Sequence, residues 1–377
     1  MTQLLDTPPA GPPPDPATGD RPGGPADEPE VRRVTTARTV DDLLAAAGAA
    51  LAALALVWIG YERLFPTSGL LGFVVCWYVV FLGVYLTVTF LRHPPTTIAD
   101  RLASAVVHAG AAVVGAGLLA VIGYTVLKGR EALGYANFYT QDMAEAGPLQ
   151  PLDVGGVLHA VVGTLIEIGI AIVVTLPLGV GCAVYLTEVG GRFARVVRTL
   201  VEAMTALPSI VAGLFVYTVL RVALGFPASG FAAACAISVM MLPIIARAAD
   251  VVLRVVPGGL REASLALGAS HWQTVWRVVL PTARPGLATA LILGTARGVG
   301  ETSPVLLTSG ASTFLNANPL DHSMNSLPLY IYSLVRSGEP TYIVRAWGAA
   351  TLLLGLVLLL FVLARLAASH RVRGRRP

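Results

Sequence analysis

One stretch of the chain places a guanidinium and a carboxylate inside an otherwise apolar segment. The run Gly294-Thr295-Ala296-Arg297-Gly298-Val299-Gly300-Glu301-Thr302-Ser303-Pro304 spaces Arg297 and Glu301 four residues apart, which on a helix puts them on the same face. Arginine suits a tetrahedral oxyanion because its planar fork donates two parallel hydrogen bonds and keeps its charge when desolvated. Charges within a membrane span usually face a bundle interior or an aqueous cavity. The pair is a candidate anion site, and the competing interpretation is an ion pair that only holds helices together.

A second candidate site lies between two apolar segments, from Glu262 to Pro281. The first part predicts a short helix with one apolar face. Gly268 predicts a left-handed turn, and Ser270 predicts the N-cap of a second short helix that Pro281 stops or kinks. Two short amphipathic helices joined by a turn suit either docking on a partner or lying on lipid headgroups.

The composition places the chain among membrane-embedded proteins. Hydrophobic residues make up 55% and charged residues 13% of 377 residues, too few charges to solvate a soluble globule of this length. A membrane-spanning helix needs about 20 mostly apolar residues. Eight segments qualify, namely 42–60, 70–91, 102–127, 157–187, 199–220, 228–246, 284–308 and 346–367. The predicted fold class is all-α, a polytopic membrane helical bundle.

The distribution of basic residues predicts the orientation of the chain in the membrane. With the amino terminus in the cytoplasm, 19 of the 26 Lys and Arg residues flank the inner side, six flank the outer side, and Arg297 lies within a span. This asymmetry predicts that both termini and the Glu262 segment are cytoplasmic. Topology and anionic membrane lipid account for the net charge of +4, so no nucleic-acid partner is expected.

The sequence has no motif for nucleotide hydrolysis or metal chemistry. A phosphate-binding P-loop needs Gly-Lys-Ser/Thr, and the single lysine, Lys128, is followed by Gly129. The six histidines and three cysteines are scattered, without metal-ligand spacing. We therefore expect no catalytic residue, metal or cofactor on this chain, with ATP and Mg on a separate subunit. An intramembrane hydrolase is disfavoured because Ser209 and Ser303 have no His in the same spans.

Several of these stretches resemble a known family. Glu262-Ala263-Ser264, Gly268 and Val278-x-Leu280-Pro281 resemble the E-A-A loop of ABC importer permeases, with Ser264 in place of the second Ala. The run from Thr295 to Pro304 resembles that of phosphate-specific ABC importer permeases of the PstA type. Further matching stretches are Gly163-Thr164-Leu165, Leu207-Pro208-Ser209-Ile210-Val211, Leu242-Pro243-Ile244-Ile245 and Leu327-Pro328. The resemblance covers roughly residues 100–367.

The resemblance implies a type I importer permease core of six helices, preceded here by two extra spans. We predict a disordered proline-rich cytoplasmic tail over 1–40, two accessory helices over 41–95, the permease domain over 96–367 and a basic cytoplasmic tail over 368–377. The implied ATPase-docking residues are Glu262, Ala263, Ser264, Gly268, Leu280 and Pro281. The implied substrate path is lined by Arg297, Glu301, Thr302 and Ser209.

The expected function is the membrane-spanning subunit of an ATP-driven importer of inorganic phosphate in a bacterial plasma membrane. The implied partners are an ATP-binding cassette ATPase dimer, a homologous second permease and an extracytoplasmic phosphate-binding protein. The residues leave open an ATP-independent secondary anion transporter or channel, in which Arg297 and Glu301 are still a selectivity element. Such a pair would admit sulfate, phosphonate or molybdate equally, so only the resemblance selects phosphate.

Overall fold

The computed structural model describes residues 40–64, 69–92 and 95–369, and this part of the chain is helical with no β-strand. The helices are α1 (Val40–Ile59), α2 (Leu70–Arg92), α3 (Pro95–Leu133), α4 (Asn137–Thr140), α5 (Leu158–Val184), α6 (Gly191–Thr205), α7 (Ser209–Val216), α8 (Gly230–Val255), α9 (Gly258–Ala266), α10 (His271–Thr274), α11 (Leu280–Val299), α12 (Ser303–Thr308), α13 (Leu327–Ser337) and α14 (Pro340–Ser369). Four π-helical segments follow α1, α5, α7 and α10, namely Gly60–Leu64, Tyr185–Val189, Tyr217–Ala223 and Val275–Val279. The predicted tails lie outside the described residues, except for Val40 and the last two residues of α14.

The chain divides into two compact units, one up to residue 114 and one from residue 115 onward. In the first unit α1 packs on α2 through small residues such as Ala49 and Ala53. The Trp77 indole donates a 3.0 Å hydrogen bond to the carbonyl oxygen of Ala50. Both predicted accessory spans are therefore present as helices. Helix α3 runs from the first unit into the second, and the predicted domain bounds stay a prediction.

Seven helices of the described residues are long and apolar enough to cross a membrane, or eight if one bent pair counts as a span. The bent pair corrects the prediction of a single span over 199–220. There α6 and the α7 segment meet at an angle of 107°. Pro208, in an extended conformation with ψ 138°, has no amide N–H to continue the helix. The predicted span is a broken element.

The predicted span over 284–308 also needs correction at both ends. Its helix ends at Val299, and a short break precedes α12. In the other direction the helix is continuous from His271. The helix therefore does not stop at Pro281, and the alternative of a kink there stays a prediction. The π-helical segment before Pro281 explains why the helix continues, because the Leu280 amide already bonds five residues back, to Val275, and loosens the turn that proline would otherwise clash with.

The core of the second unit forms where α5, α8 and α11 pack together. Its buried apolar residues include Ile168, Ala171, Ile237, Met241, Ile245 and Val299. Two glycines one turn apart on α11, Gly294 and Gly298, face α8. A Cβ at Gly298 would lie 2.5 Å from the Met241 sulfur, so the absence of a side chain lets the two helices approach closely.

A layer of loops covers the end of the bundle where α5 starts. Arg345 on α14 is completely buried there, and its Nη2 donates hydrogen bonds of 2.7 Å to the carbonyl oxygens of Pro151 and Val154. Its burial could not be seen in the sequence, where Arg345 counts only as one of the six basic residues on the predicted outer side. The Arg345 side chain supplies hydrogen bonds to loop carbonyl oxygens that have no helical partner. It thereby fastens the 141–157 loop to α14.

Candidate transport site and docking segment

The predicted contact between Arg297 and Glu301 is confirmed. The Arg297 Nε lies 2.9 Å from the Glu301 Oε1. Glu301 lies just beyond the end of α11, in the break before α12, and is buried, whereas the Arg297 side chain is 55% exposed. Arg297 is therefore not enclosed within this chain. Because Arg297 makes no hydrogen bond through its Nη atoms in the described part of the chain, these donors are available to a ligand.

The other two predicted path residues lie at breaks in the helices. Thr302 lies directly before α12, and Ser209 is the first residue of α7. Helices α7 and α12 pack against each other, with Gly213 of α7 against Pro304 of α12. Non-helical backbone at membrane depth is tolerated only where protein buries it or where it lines a water-filled cavity. The two breaks therefore lie next to the packed helices α7 and α12, and Ser209 and Thr302 are both partly exposed.

The predicted turn and cap of the docking segment are confirmed. Gly268 has a φ of +84°, a conformation that favours glycine. Ser270 forms a reciprocal capping box with Gln273, in which the Gln273 amide donates to the Ser270 Oγ at 3.2 Å and the Ser270 amide donates to Gln273 Oε1 at 3.0 Å. Local sequence alone determines both features.

The surface of the docking segment is apolar where it faces outward. Glu262, Ala263 and Gly268 are exposed. Leu267 is 89% exposed, and the exposed rings of Trp272 and Trp276 meet edge to face with centroids 5.5 Å apart. Exposed apolar side chains of this kind, on an otherwise polar loop, indicate a contact surface.

The hydroxyl at Ser264 joins the two helices of the docking segment. Its Oγ lies 2.9 Å from the Oγ1 of Thr274, and Thr274 is buried. An alanine at position 264 could not make this bond. The departure from the E-A-A pattern therefore has a structural consequence, since it ties α9 to α10.

Leu280 and Pro281 lie apart from the turn at Gly268. They belong to the continuous helix that starts at His271, about 14 Å along its axis. Leu280 is partly buried against a cluster that includes Leu253 and Val279. These two residues pack the base of the segment, and their docking role stays a prediction.

A partly buried ion pair that the sequence analysis missed holds the docking segment to two spans. We call Glu188, Arg261 and His271 the anchor. The Glu188 Oε1 accepts hydrogen bonds from Arg261 Nε at 3.1 Å and Nη2 at 2.9 Å. Arg261 also donates to the carbonyl oxygens of Val256 and Leu253 at the end of α8, at 2.7 and 2.9 Å. The His271 Nε2 lies 3.1 Å from the Glu188 carbonyl oxygen.

Sequence offered only a weak signal for the anchor. Arg261 stands next to Glu262, and Glu188 follows a predicted span, but 73 residues separate them and no local rule pairs them. The Glu188 side chain is only 5% exposed. The anchor therefore connects the ends of α5 and α8 to both helices of the docking segment.

One further buried carboxyl lies outside the predicted site. Glu167 on α5 is 1% exposed and accepts a 3.2 Å hydrogen bond from the Ser309 hydroxyl, which also contacts the Met324 carbonyl oxygen. Ser309 directly follows α12. Glu167 thus joins α5 to the end of α12, the short helix that follows Glu301.

Comparison with known proteins defines the class. Residues 175–373 match the family described as binding-protein-dependent transport system inner membrane component. The chain belongs to this family and is a multi-pass membrane component of a transport system rather than an enzyme. Membership implies an ATPase and a substrate-binding protein as partners. The predicted permease class and the all-α membrane fold are confirmed.

Particular relatives agree with the resemblance drawn from the motifs. The chain is 41% identical over 252 residues to phosphate transport system permease protein PstA 1 of Mycobacterium tuberculosis, covering 67% of this chain and 81% of that protein. It is 36% identical over 223 residues to PstA of Haemophilus influenzae, covering 59% of this chain and 78% of that protein. A solved structure of inward-facing MetNI methionine ABC transporter aligns with 59% of this chain and 95% of that chain, at 25% identity and a TM-score of 0.43. The predicted resemblance to PstA-type permeases is confirmed.

Proposed function

We propose that this chain is the membrane-spanning subunit of an ATP-driven importer of inorganic phosphate. The observation that carries the proposal is the Arg297–Glu301 pair, in which a buried carboxylate holds the Nε of an exposed guanidinium at 2.9 Å. Such a carboxylate fixes the plane of the fork and leaves its terminal nitrogens free for an oxyanion. The names of the relatives supply phosphate as the anion.

Phosphate binds by exchanging part of its hydration for protein donors. Arg297 supplies charge-assisted hydrogen bonds, and the hydroxyls of Thr302 and Ser209 supply neutral ones. Glu301 lowers the net charge of the site, so the anion is held weakly enough to leave. A transport site requires this balance, because a phosphate that binds too tightly is not released.

The continuous helix formed by α10, the π-helical segment Val275–Val279 and α11 suggests how ATP hydrolysis reaches this site. One helix of 29 residues runs from His271, in the docking segment, to Val299, just past Arg297. At 1.5 Å per residue it is about 43 Å long. A displacement of the docking segment therefore moves the turn that carries Arg297 as part of the same rigid element. The anchor moves the ends of α5 and α8 at the same time.

The partner subunits complete the proposal. An ATP-binding cassette ATPase dimer, carrying ATP and Mg, docks on Glu262, Ala263, Ser264 and Gly268. A homologous second permease forms the other half of the pathway, and an extracytoplasmic phosphate-binding protein delivers the substrate. Both termini are cytoplasmic in this arrangement, and alternating access moves phosphate inward.

Reconstitution tests the proposed function directly. Proteoliposomes that contain this chain with its ATPase, second permease and binding protein should take up labelled phosphate only when ATP is supplied on the side of the membrane where the ATPase lies. Excess sulfate should not compete. Phosphate flux without nucleotide or partners would identify an ATP-independent transporter or channel instead, and competition by sulfate would overturn the phosphate assignment.

A further inference from the structure

A charged cleft of about 270 Å³ opens between α6 and α8. Its charged lining comes from Arg198 and Glu202 on α6 and from Arg247, Asp250 and Arg254 on α8. Leu186, two residues before the anchor residue Glu188, contributes an apolar wall. The cleft therefore lies at the end of the bundle that carries the docking segment.

Two of the three guanidinium groups in the cleft are not committed to protein partners. Asp250 pairs with Arg254 at 3.1 Å. The spacing of Arg198 and Glu202 would allow a second pair, yet none forms. Arg198 and Arg247 are both exposed and make no hydrogen bond or ion pair with the residues that the structure describes. One unpaired carboxylate, Glu202, faces two unpaired cations, which leaves a net positive cleft.

Apolar surface flanks the charged lining on both helices. Leu200 of α6 is 58% exposed, and Val251 and Val255 of α8 are 61% and 77% exposed. Arginine next to exposed aliphatic side chains is typical of the boundary between hydrocarbon and headgroups. A ligand with an anionic head therefore finds matching surfaces for both head and chain.

The cleft is separate from the Arg297 site. Gly298, the neighbour of Arg297, contacts Met241 on α8. Arg247 and Arg254 lie 6 and 13 residues further along the same helix, or about 9 and 20 Å at 1.5 Å per residue. Arg297 does not line the cleft, which is displaced from it along α8.

We propose that this cleft is a second anion site that binds a phosphate group through Arg198 and Arg247. Two guanidinium forks on facing helices can share the oxygens of one phosphate, a geometry that a single lysine could not offer. The phosphate belongs either to the headgroup of an anionic phospholipid or to free inorganic phosphate, because the same oxygens are recognised in both. The ligand bridges α6 to α8 on the docking side of the bundle. This inference does not depend on the transported substrate, since it concerns binding alone.

Ligand-dependent stabilisation of the purified assembled transporter tests the proposal. The Tm of delipidated complexes is measured with added phosphatidylglycerol, phosphatidylcholine or inorganic phosphate, for wild type, R198Q/R247Q and R192Q/R195Q. The last variant is the matched control, since it removes two exposed arginines of the same helix outside the cleft. R198Q/R247Q should bind the stabilising ligand about tenfold more weakly, because it loses the charge-assisted hydrogen bonds of both guanidinium groups. The control should bind the ligand as wild type does.

The arms separate the two sources of the phosphate group. Stabilisation by phosphatidylglycerol but not phosphatidylcholine, lost only in R198Q/R247Q, identifies a lipid headgroup. The same pattern with inorganic phosphate identifies a free anion. Equal losses in both double variants would reduce the effect to general surface charge and overturn the site, as would unchanged binding in R198Q/R247Q. If that variant does not assemble, R198Q alone, at an exposed position, gives the same comparison against R195Q.

Discussion

Single hydrogen bonds determine how stiff the docking segment is. Ser264 and Thr274 join α9 to α10 through a contact of 2.9 Å, and the Ser270 capping box starts the second of these helices. Each such bond contributes about 1 kcal/mol. The docking segment can transmit a displacement of the ATPase only if its two helices move together. These hydrogen bonds therefore matter for the coupling of ATP hydrolysis to transport.

Removing the Ser264 hydroxyl should loosen the segment without unfolding it. We expect S264A to lower the stability of the assembled transporter by about 1 kcal/mol, measured as a lower Tm. T274V should act through the same bond, so the double variant S264A/T274V should lose clearly less than the sum of the two single losses. Strict additivity would show that the two hydroxyls do not interact.

Features of single residues could be predicted from the sequence where residues close together in the chain determine them. The left-handed Gly268, the Ser270 cap and the Arg297–Glu301 contact all follow from neighbours within four positions. The anchor did not follow, because Arg261 and Glu188 meet only after α5 and α8 have packed. The exposure of the Arg297 side chain could not be predicted from the sequence either. Burial depends on which helices surround a residue, and the spacing of residues along the chain does not determine that.

At the scale of elements, the close crossing of α11 and α8 fixes the position of Arg297. Gly298 allows this approach because a side chain there would meet Met241. We expect G298V to push the helices apart and cost about 1–3 kcal/mol through overpacking, with lower Tm and lower phosphate uptake. G169V is the matched control, because a Cβ at Gly169 of α5 has nothing within 4 Å. Equal Tm and equal phosphate uptake in G298V and G169V would contradict a role for the close crossing of α11 and α8.

The anchor should matter for coupling more than for assembly. In E188Q the amide keeps the shape of the side chain but loses the charge that binds Arg261. The exposed docking surface is untouched, so we expect the ATPase to co-purify while phosphate uptake per ATP hydrolysed falls. The measurement is the ratio of the two rates in proteoliposomes.

The control for the anchor removes a carboxylate elsewhere. D321N changes the exposed contact of 3.4 Å between Asp321 and His322, and exposed polar contacts contribute little. Its uptake per ATP should equal that of wild type. A lower Tm in E188Q with an unchanged ratio would reduce the anchor to a structural role.

Element-scale prediction from sequence succeeded for long apolar stretches and failed at breaks. Hydrophobic length located the spans, since bilayer thickness leaves little choice. It could not show that the 199–220 stretch bends by 107° at Pro208, or that the helix passes through Pro281 unbroken. Both prolines stand in apolar runs, and the backbone distinguishes them, because Pro208 itself is extended whereas a π-helical segment precedes Pro281.

At the scale of the whole molecule, a layer of loops closes the end of the bundle opposite the docking segment. Arg345 fastens this layer, bonding Pro151 and Val154 from a completely buried position. Nothing in the local sequence separates it from exposed Arg336, since both flank predicted spans. Its burial arises only from the long-range packing of α14 against the loop.

Replacing Arg345 should release the loop layer. R345M leaves buried carbonyl oxygens unpaired, which costs roughly 2 kcal/mol or more. We expect a lower Tm and faster proteolysis within 141–157. R336M, at an exposed cation, should leave both unchanged. Protection of the loop in R345M equal to that in wild type would contradict the fastening role.

The central claim is that the guanidinium of Arg297 holds the transported anion. The most direct test is labelled phosphate uptake by cells in which R297K replaces the wild-type chain, because lysine keeps the charge and loses the fork. Uptake at low phosphate should fall about tenfold or more, while the ATPase still co-purifies with the variant. Uptake equal to wild type in R297K would contradict the account.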